Sequence, residues 1–519
     1  MQIIDNKALV ALVRTPERIT SLIKQSKYLG PEGDFHEVVI KWGLINAQKL
    51  CELGVKNVPS PITRDYKWPG MYKPFLHQKD TASFLTLYRK AFCFNEQGTG
   101  KTGSAIWAAD YLMRMGQVKR VLVVCPLSIM QSAWQNDLFK LAMHRTCDIA
   151  HGSPKKRKEI VSSGAEFVII NYDGLEIIEK DIKEAKFDLI IIDEANAYKN
   201  AQTKRWKCLQ RIVDSNIFMR LWLMTGTPAA QSPVDAYGLA KLVSPNKVPK
   251  FFSSWRERVM WRVSNFTWAP KPGAKKMVHA ALQPAIRFTK DQCMDLPEMT
   301  FVTRDVPLTA QQKKYYKTMK EQLLIEAAGE EISAVNAGAL FQKLLQVSCG
   351  AIYSDTKETI RFDAKERLSV IKEIIEETNN KVLVFVPFRN AIDMVSEFLN
   401  KNSITNAIIN GGVSPKKRTD IFRRFQDSDN LKVLIIQPQA AAHGVTLTAA
   451  DTVIWFGPTT SLETYMQANA RVHRAGQKNA TTVFNIKGSQ IENRIYTMLQ
   501  SKQNIHNQIV DLYKKEIEE

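Results

Sequence analysis

Five short apolar runs recur between residues 75 and 245: AFCF (91–94), VLVVCP (121–126), FVIINY (167–172), LIIIDE (189–194) and LWLMTG (221–226). Their cores lack an alternation of polar and apolar positions, which marks strands buried on both faces, and helical stretches separate them. Strands of that kind spaced by helices predict a parallel α/β sheet. A second series follows, KVLVFVPF (381–388), NAIIN (406–410), KVLIIQP (432–438), DTVIWFG (451–457) and TTVFNIK (481–487), so two lobes of similar architecture are expected. Ligands in such sheets sit beyond the carboxyl ends of the strands, so the chemistry is sought in the loops after these runs.

The remaining segments divide the chain further. Residues 1–70 read as a small amino-terminal module with helical segments such as LINAQKLCEL (44–53), ending in a linker broken by Pro59, Pro61 and Pro69. The first lobe spans 71–245, a mainly helical, basic block spans 246–365, the second lobe spans 366–500, and a terminal helix covers 501–519. No apolar run approaches the ~20 residues of a membrane span, and no secretory signal is evident. Seven scattered cysteines without a CxxC pair suit a reducing cytosol and argue against a zinc ribbon or a disulfide framework. Seventy-two Lys and Arg against 52 Asp and Glu give a net charge of +20, which favours a polyanionic partner, most often nucleic acid.

NEQGTGKT (95–102) follows the first apolar run. Gly98 and Gly100, with Gln97 and Thr99 between and beside them, allow backbone N–H groups to curl around phosphate oxygens at a helix amino terminus. Lys101 is placed to reach the β- and γ-phosphates of ATP and the Thr102 hydroxyl to ligate Mg²⁺. The full phosphate-loop pattern wants glycine at 95, where this chain has Asn95. In LIIIDE a buried strand delivers Asp193, a hard oxygen ligand for Mg²⁺, and Glu194, which can orient or deprotonate an attacking water. LWLMTGTP ends in Thr225, Gly226 and Thr227, hydroxyl and small residues suited to bridging the carboxylate loop to a neighbouring surface. QANARVHRAGQ (467–477) puts Gln467, Arg471 and Arg474 at i, i+4 and i+7, one face of a helix, where two arginines can neutralise charge on a transferring phosphate.

Taken together, HQ (77–78), GTGKT, VCPLSIMQSAW (124–134), DEANAYKN (193–200), TGTPAAQSPVDAYGLAKLVSP (225–245), IRFTKDQCMDLPEMT (286–300), LTAADTVIWF (447–456) and RVHRAGQ (471–477) resemble the Snf2-like group of superfamily 2 helicases. The resemblance covers about residues 72–500. It implies two RecA-like lobes, with the block at 246–365 as helical Snf2-type insertions, and a DNA-dependent ATPase that moves on duplex or forked DNA and remodels replication or recombination intermediates. By matching motif, Gln78 would read adenine, and Arg471 and Arg474 would be finger arginines with Gln467 near the γ-phosphate. Asn196, standing where the family has His, and Gly444, in AAAHGVTL (440–447) where AGGxGLNL is typical, fall with Thr225, Gly226 and Thr227 among the residues that couple hydrolysis to DNA. Compact members with a short amino-terminal module resemble those carried by bacteriophages, which implies the bacterial host cytoplasm, with the module open to replication or recombination proteins. A rival reading is a DNA-clamping module with a decayed ATPase fold. Decay removes the lysine, carboxylates or arginines, and all are present here.

Overall fold

The computed structural model describes residues 1–226, 228–229, 232–263, 268–293, 297–327, 342–353, 359–441, 445–474 and 476–501. The chain divides into two units, Met1–Cys293 and Met294–Glu519.

The first unit begins with strands β1 (Gln2–Ile4), β2 (Ala8–Val13), β3 (Ser26–Glu32) and β4 (Phe35–Lys41), an antiparallel sheet in the order β1-β2-β4-β3. Helical segments were the expectation here; the helix Leu44–Glu52 is present, but most of the preceding chain is this sheet. Its turns carry the reason. Asp5 and Asn6, both left-handed (φ 50° and 54°), join β1 to β2, and Gly33 (φ 60°) with Asp34 closes the β3–β4 hairpin. Leu9, Ala11, Val38 and Ile40 turn one face of the sheet onto Ala47 and Leu50 of the helix.

The main sheet of this unit has seven parallel strands: β5 (Lys90–Cys93), β6 (Val121–Cys125), β7 (Cys147–Ala150), β8 (Phe167–Asn171), β9 (Leu189–Asp193), β10 (Arg220–Met224) and, after a small hairpin β11 (Met260–Arg262)/β12 (Trp268–Pro270), β13 (Ala285–Ile286). Their order is β13-β5-β10-β9-β6-β8-β7. The apolar runs are continuous because alternate residues enter two separate cores. Leu122, Val124, Ile190, Ile192, Leu221 and Leu223 pack on one face, and Val121, Val123, Leu189, Ile191, Trp222 and Met224 on the other.

The second unit repeats the plan with six parallel strands: β14 (Met299–Asp305), then, beyond an antiparallel pair β15 (Ala351–Tyr353)/β16 (Thr359–Arg361), β17 (Lys381–Phe385), β18 (Asn406–Ile409), β19 (Val433–Ile436), β20 (Ala450–Trp455) and β21 (Thr481–Lys487), ordered β14-β21-β20-β17-β19-β18. Again Leu383, Phe385, Leu434 and Val453 face one core while Val382, Val384, Val433 and Ile454 face the other. The fold is therefore α/β, with two RecA-like lobes. The stretch 246–365 is shared between them: the helix Phe252–Val259 and β13 belong to the first unit, and β14 is an edge strand of the second. The helix Gln490–Gln500 closes the second unit, held by a buried ion pair between Arg367 and Glu492 at 2.6 Å. Of the expected terminal helix 501–519, all but Ser501 lies outside the described residues.

Candidate functional site

The register of the first sheet assembles the motifs. Met224 of β10 pairs with Cys93 of β5 on one side and with Asp193 of β9 on the other, so three adjacent strands end level. The glycine-rich loop, the Thr225–Gly226 turn and the carboxylates thus leave the same sheet edge side by side. Thr225 N–H bonds the Cys93 carbonyl at 3.0 Å, and a Cβ on Gly226 would lie 3.2 Å from Gln97 Cγ, which shows how closely that turn approaches the loop. Thr227 lies outside the described residues. Burial pushes the thiol of Cys93 up to about 11 and that of Cys125 well above its usual value, so both stay protonated at this edge.

Gly98 and Gly100 are left-handed (φ 88° and 81°), the conformation that bends the loop back before the helix Lys101–Arg114 begins. Lys101, largely buried, donates from Nζ to the carbonyls of Asn95 (2.8 Å) and Glu96 (3.2 Å) at the start of the loop. His77 Nε2 and Gln78 Nε2 both donate to the Thr99 carbonyl, at 2.8 and 3.2 Å, while Gln78 Oε1 accepts the Phe75 N–H that caps its own helix. Gln78 thus braces the loop directly.

Asp193 is buried at the end of β9. Its Oδ2 accepts from the indole of fully buried Trp134 (2.9 Å), which a stretch of π-helix, Met130–Gln135, carries to the sheet edge, and its Oδ1 accepts the Glu194 N–H (3.0 Å). Glu194 has left-handed backbone (φ 51°, ψ 55°), which costs a residue with a Cβ about 1–2 kcal/mol. Strain of this kind persists where surrounding contacts enforce it. The Tyr172 hydroxyl supplies such a contact, donating to the carbonyls of Asp193 (2.6 Å) and Glu194 (3.1 Å). Burial, reinforced by both carboxylates, holds this phenol well above its ordinary range, so it remains a donor. Asn196 follows in a 3-10 turn, Ala195–Tyr198, its carbonyl accepting the Lys199 N–H, and Lys199 Nζ lies 3.3 Å from Asp235.

Sequence reading passed over four residues that hold this edge together: Trp134, Tyr172, Asn95 in its structural role, and Glu96. The buried Asn95 donates from Nδ2 to Thr81 Oγ1 (2.7 Å) and accepts at Oδ1 from Phe288 N–H (3.0 Å). Glu96 accepts from Lys290 N–H at 3.1 Å, and its own N–H bonds the Phe288 carbonyl at 2.9 Å. The segment continuing β13 therefore straps the loop from outside. Trp134 and Tyr172 stood at the ends of recognised runs, but only the register of β6, β8 and β9 shows what they touch.

In the second unit the expectation of one helical face for Gln467, Arg471 and Arg474 needs correction. The helix runs only Leu462–Asn469, where the Asn469 side chain accepts the Trp455 indole N–H (3.0 Å), and the two arginines lie on the turns beyond. Gln467 is buried on the helix and donates to Glu463 at 3.1 Å. Arg471 is buried, its carbonyl accepting Leu447 N–H, and Arg474 Nη1 donates to the Val445 carbonyl at 3.3 Å. Gly444 lies outside the described residues.

The first-unit edge suits a Mg²⁺-nucleotide. Its loop opens on a 14-residue helix, Gln97 Nε2 is buried with no hydrogen-bond partner among the described residues, and the loop, the helix start and the end of β9 carry a lysine, a hydroxyl and a carboxylate. Among the described residues no group of three or more His, Cys, Asp or Glu could cage a metal alone, and Mg²⁺ typically takes one or two protein ligands plus phosphates. Two parallel α/β lobes, one presenting a glycine-rich loop, a DE pair and a TG turn from level strands, define the helicase type of α/β protein. A family profile described as the SNF2-related domain matches residues 77–350, and one described as the helicase conserved C-terminal domain matches 365–476. The chain belongs to the SNF2 family of superfamily 2 helicases. It is 26% identical over 420 residues to an uncharacterized ATP-dependent helicase of Mycoplasma genitalium, covering 79% of this chain and 39% of that protein. It is 26% identical over 439 residues to mouse chromodomain-helicase-DNA-binding protein 1-like, covering 80% and 47%. A protein of Acyrthosiphon pisum secondary endosymbiont phage 1, p41, is 25% identical over 402 residues, covering 74% of this chain and 85% of its own length. The chain thus spans about half or less of the Mycoplasma and mouse relatives. The Sulfolobus solfataricus SWI2/SNF2 ATPase core in complex with dsDNA matches with a TM-score of 0.42 at 22% identity, covering 85% of this chain and 94% of that one. Among the described residues no helix is long and apolar enough to cross a membrane.

Proposed function

We propose that this chain is a DNA-dependent ATPase that couples hydrolysis to movement on duplex or forked DNA. The observation carrying the proposal is the level ending of β5, β10 and β9, which sets the glycine-rich loop, the Thr225–Gly226 turn and the Asp193–Glu194 pair on one edge. The loop N–H groups and Lys101 bind the phosphates, and Gln78 and Gln97 border the nucleotide. Thr102 and Asp193 hold Mg²⁺, which when bound draws charge from the phosphates. Glu194 orients the attacking water and accepts its proton. By motif, Gln467, Arg471 and Arg474 neutralise charge on the γ-phosphate. Asn196, Thr225, Gly226, Thr227 and Gly444 pass the hydrolytic state to DNA, and the +20 charge favours the polyanion. The amino-terminal sheet is a docking module for replication or recombination proteins, and the setting is the cytoplasm of a bacterial host.

The test is ATP turnover measured with no DNA and with single-stranded, duplex and forked DNA. Stimulation by duplex or fork is expected, abolished by Glu194→Gln with nucleotide binding retained. Turnover indifferent to DNA, or no turnover by the unaltered chain, refutes the proposal.

A further inference from the structure

Tyr172 ends the run FVIINY without any of the chemistry usually sought in a nucleotide site, yet its hydroxyl reaches a strained point of that site. In an extended strand, successive carbonyls point to opposite sides; in a helical conformation of either hand they point the same way. One donor can therefore bond two consecutive carbonyls only where the residue between them has left the extended conformation. The Tyr172 hydroxyl does so, at 2.6 Å from the Asp193 carbonyl and 3.1 Å from that of Glu194. These carbonyls belong to the two peptide planes on either side of Glu194 Cα, so a donor shared between them fixes both φ and ψ of Glu194. The ring that carries the hydroxyl is itself set, edge-on to Tyr198 (centroids 5.7 Å apart) and beneath the Arg205 guanidinium at 5.0 Å. Tyr198 closes the same 3-10 turn that Glu194 opens, so the brace is anchored at both ends of the turn.

We propose that Tyr172 is a positioning residue that holds Glu194 in its left-handed conformation and so aims the Glu194 carboxylate for water activation. The inference rests on the hydrolytic reading of this edge. Without the shared bond, Glu194 relaxes toward the extended backbone of β9, which swings its side chain to the other side of the strand. Nucleotide binding does not use that side chain, so the effect falls on turnover rather than on affinity.

Tyr172→Phe removes the oxygen and keeps the ring with its contacts. In this chain with saturating duplex DNA, kcat for ATP is expected to fall about tenfold, with KM for ATP nearly unchanged and the chain still folded at the assay temperature. The Glu194→Gln variant provides the second arm: its abolished turnover sets the floor against which the partial loss in Tyr172→Phe is read. A crystal structure of Tyr172→Phe is expected to show Glu194 with negative φ or in two backbone conformers. Full kcat in Tyr172→Phe, in a chain whose turnover Glu194→Gln abolishes, overturns the positioning role while leaving the ATPase reading intact. A chain that hydrolyses no ATP under any condition overturns the ATPase reading instead. In that case an unchanged left-handed Glu194 in the variant crystal structure overturns the inference as well, whereas a relaxed one upholds the brace.

Discussion

A Cβ added at Gly100 would lie 2.0 Å from Gln78 Nε2, at a position whose φ is +81°. Gly100→Ala therefore carries two separable costs. The left-handed backbone costs an L-residue about 1–2 kcal/mol. Part of this, roughly 0.5–1 kcal/mol, is offset because alanine restricts the unfolded chain. The overlap is relieved by swinging the flexible Gln78 side chain away, which breaks its bonds to the Thr99 carbonyl and the Phe75 N–H. At about 1 kcal/mol each, those bonds account for about 2 kcal/mol. The single variant is thus expected to lose about 3 kcal/mol, with the Kd of a fluorescent ATP analogue raised tenfold or more as the loop loses its order. In a Gln78→Ala background the bonds are already gone and the space is open, so Gly100→Ala should cost under about 1 kcal/mol, leaving a coupling of about 2 kcal/mol between the two sites. Urea unfolding followed by tryptophan fluorescence, with titration of the analogue in parallel, measures both quantities. Strictly additive effects, or a Gly100→Ala chain unaltered in stability and affinity, would refute the view that Gln78 and the loop form one braced unit.

Two further expectations concern the frame around the site. Asn95→Gly restores the glycine of the full phosphate-loop pattern, but it forfeits the bonds to Thr81 and Phe288; a loss of about 2 kcal/mol in unfolding free energy and faster hydrogen exchange at Phe288 are expected, and an unchanged chain would mean the strap is dispensable. Asp110, fully buried, is opposed by its burial but held below the usual carboxylate range by hydrogen bonds from Tyr66, Arg145 and His144, with Arg114 at 3.1 Å. A depressed carboxylate stabilises the fold above its unfolded pKa and loses that contribution as pH falls through the lower folded value. Asp110→Asn should therefore cost about 3 kcal/mol at neutral pH, with the gap to the unaltered chain closing below about pH 4; a gap constant with pH would contradict the assignment.

Much of the architecture could be read in the residues because both sheets are buried on both faces. A run such as LIIIDE has no polar register to disguise it, and its last two residues must emerge at the carboxyl edge. The amino-terminal sheet was harder to read. Its β2 run, ALVALV, is apolar at every position, as a short buried helix would be, and only the Asp5–Asn6 turn before it distinguishes a hairpin. The arginine segment misled in the opposite direction. QANARVHRA continues a helical spacing on paper, but the chain leaves the helix at Asn469, whose amide is committed to Trp455, a residue 14 positions earlier on another element. That bond is a tertiary contact, and local periodicity does not report it.

The same distinction accounts for Asn95, which sets this chain apart from the full phosphate-loop pattern. As a loop residue Asn95 looks like a loss, since glycine would leave the backbone freer. In the fold its amide spans two elements, one end on the helix Leu76–Leu87 and the other on the segment that continues β13, with the side-chain carboxylate of Glu96 accepting from that same segment. A glycine can satisfy neither. Residue 95 thus acts on what the loop is built against, and the loop's own flexibility is left to Gly98 and Gly100, the two positions where the backbone is left-handed. The demand for glycine follows the conformation of each position, so a pattern that counts glycines by spacing alone overstates the damage done by losing one where no left-handed turn is required.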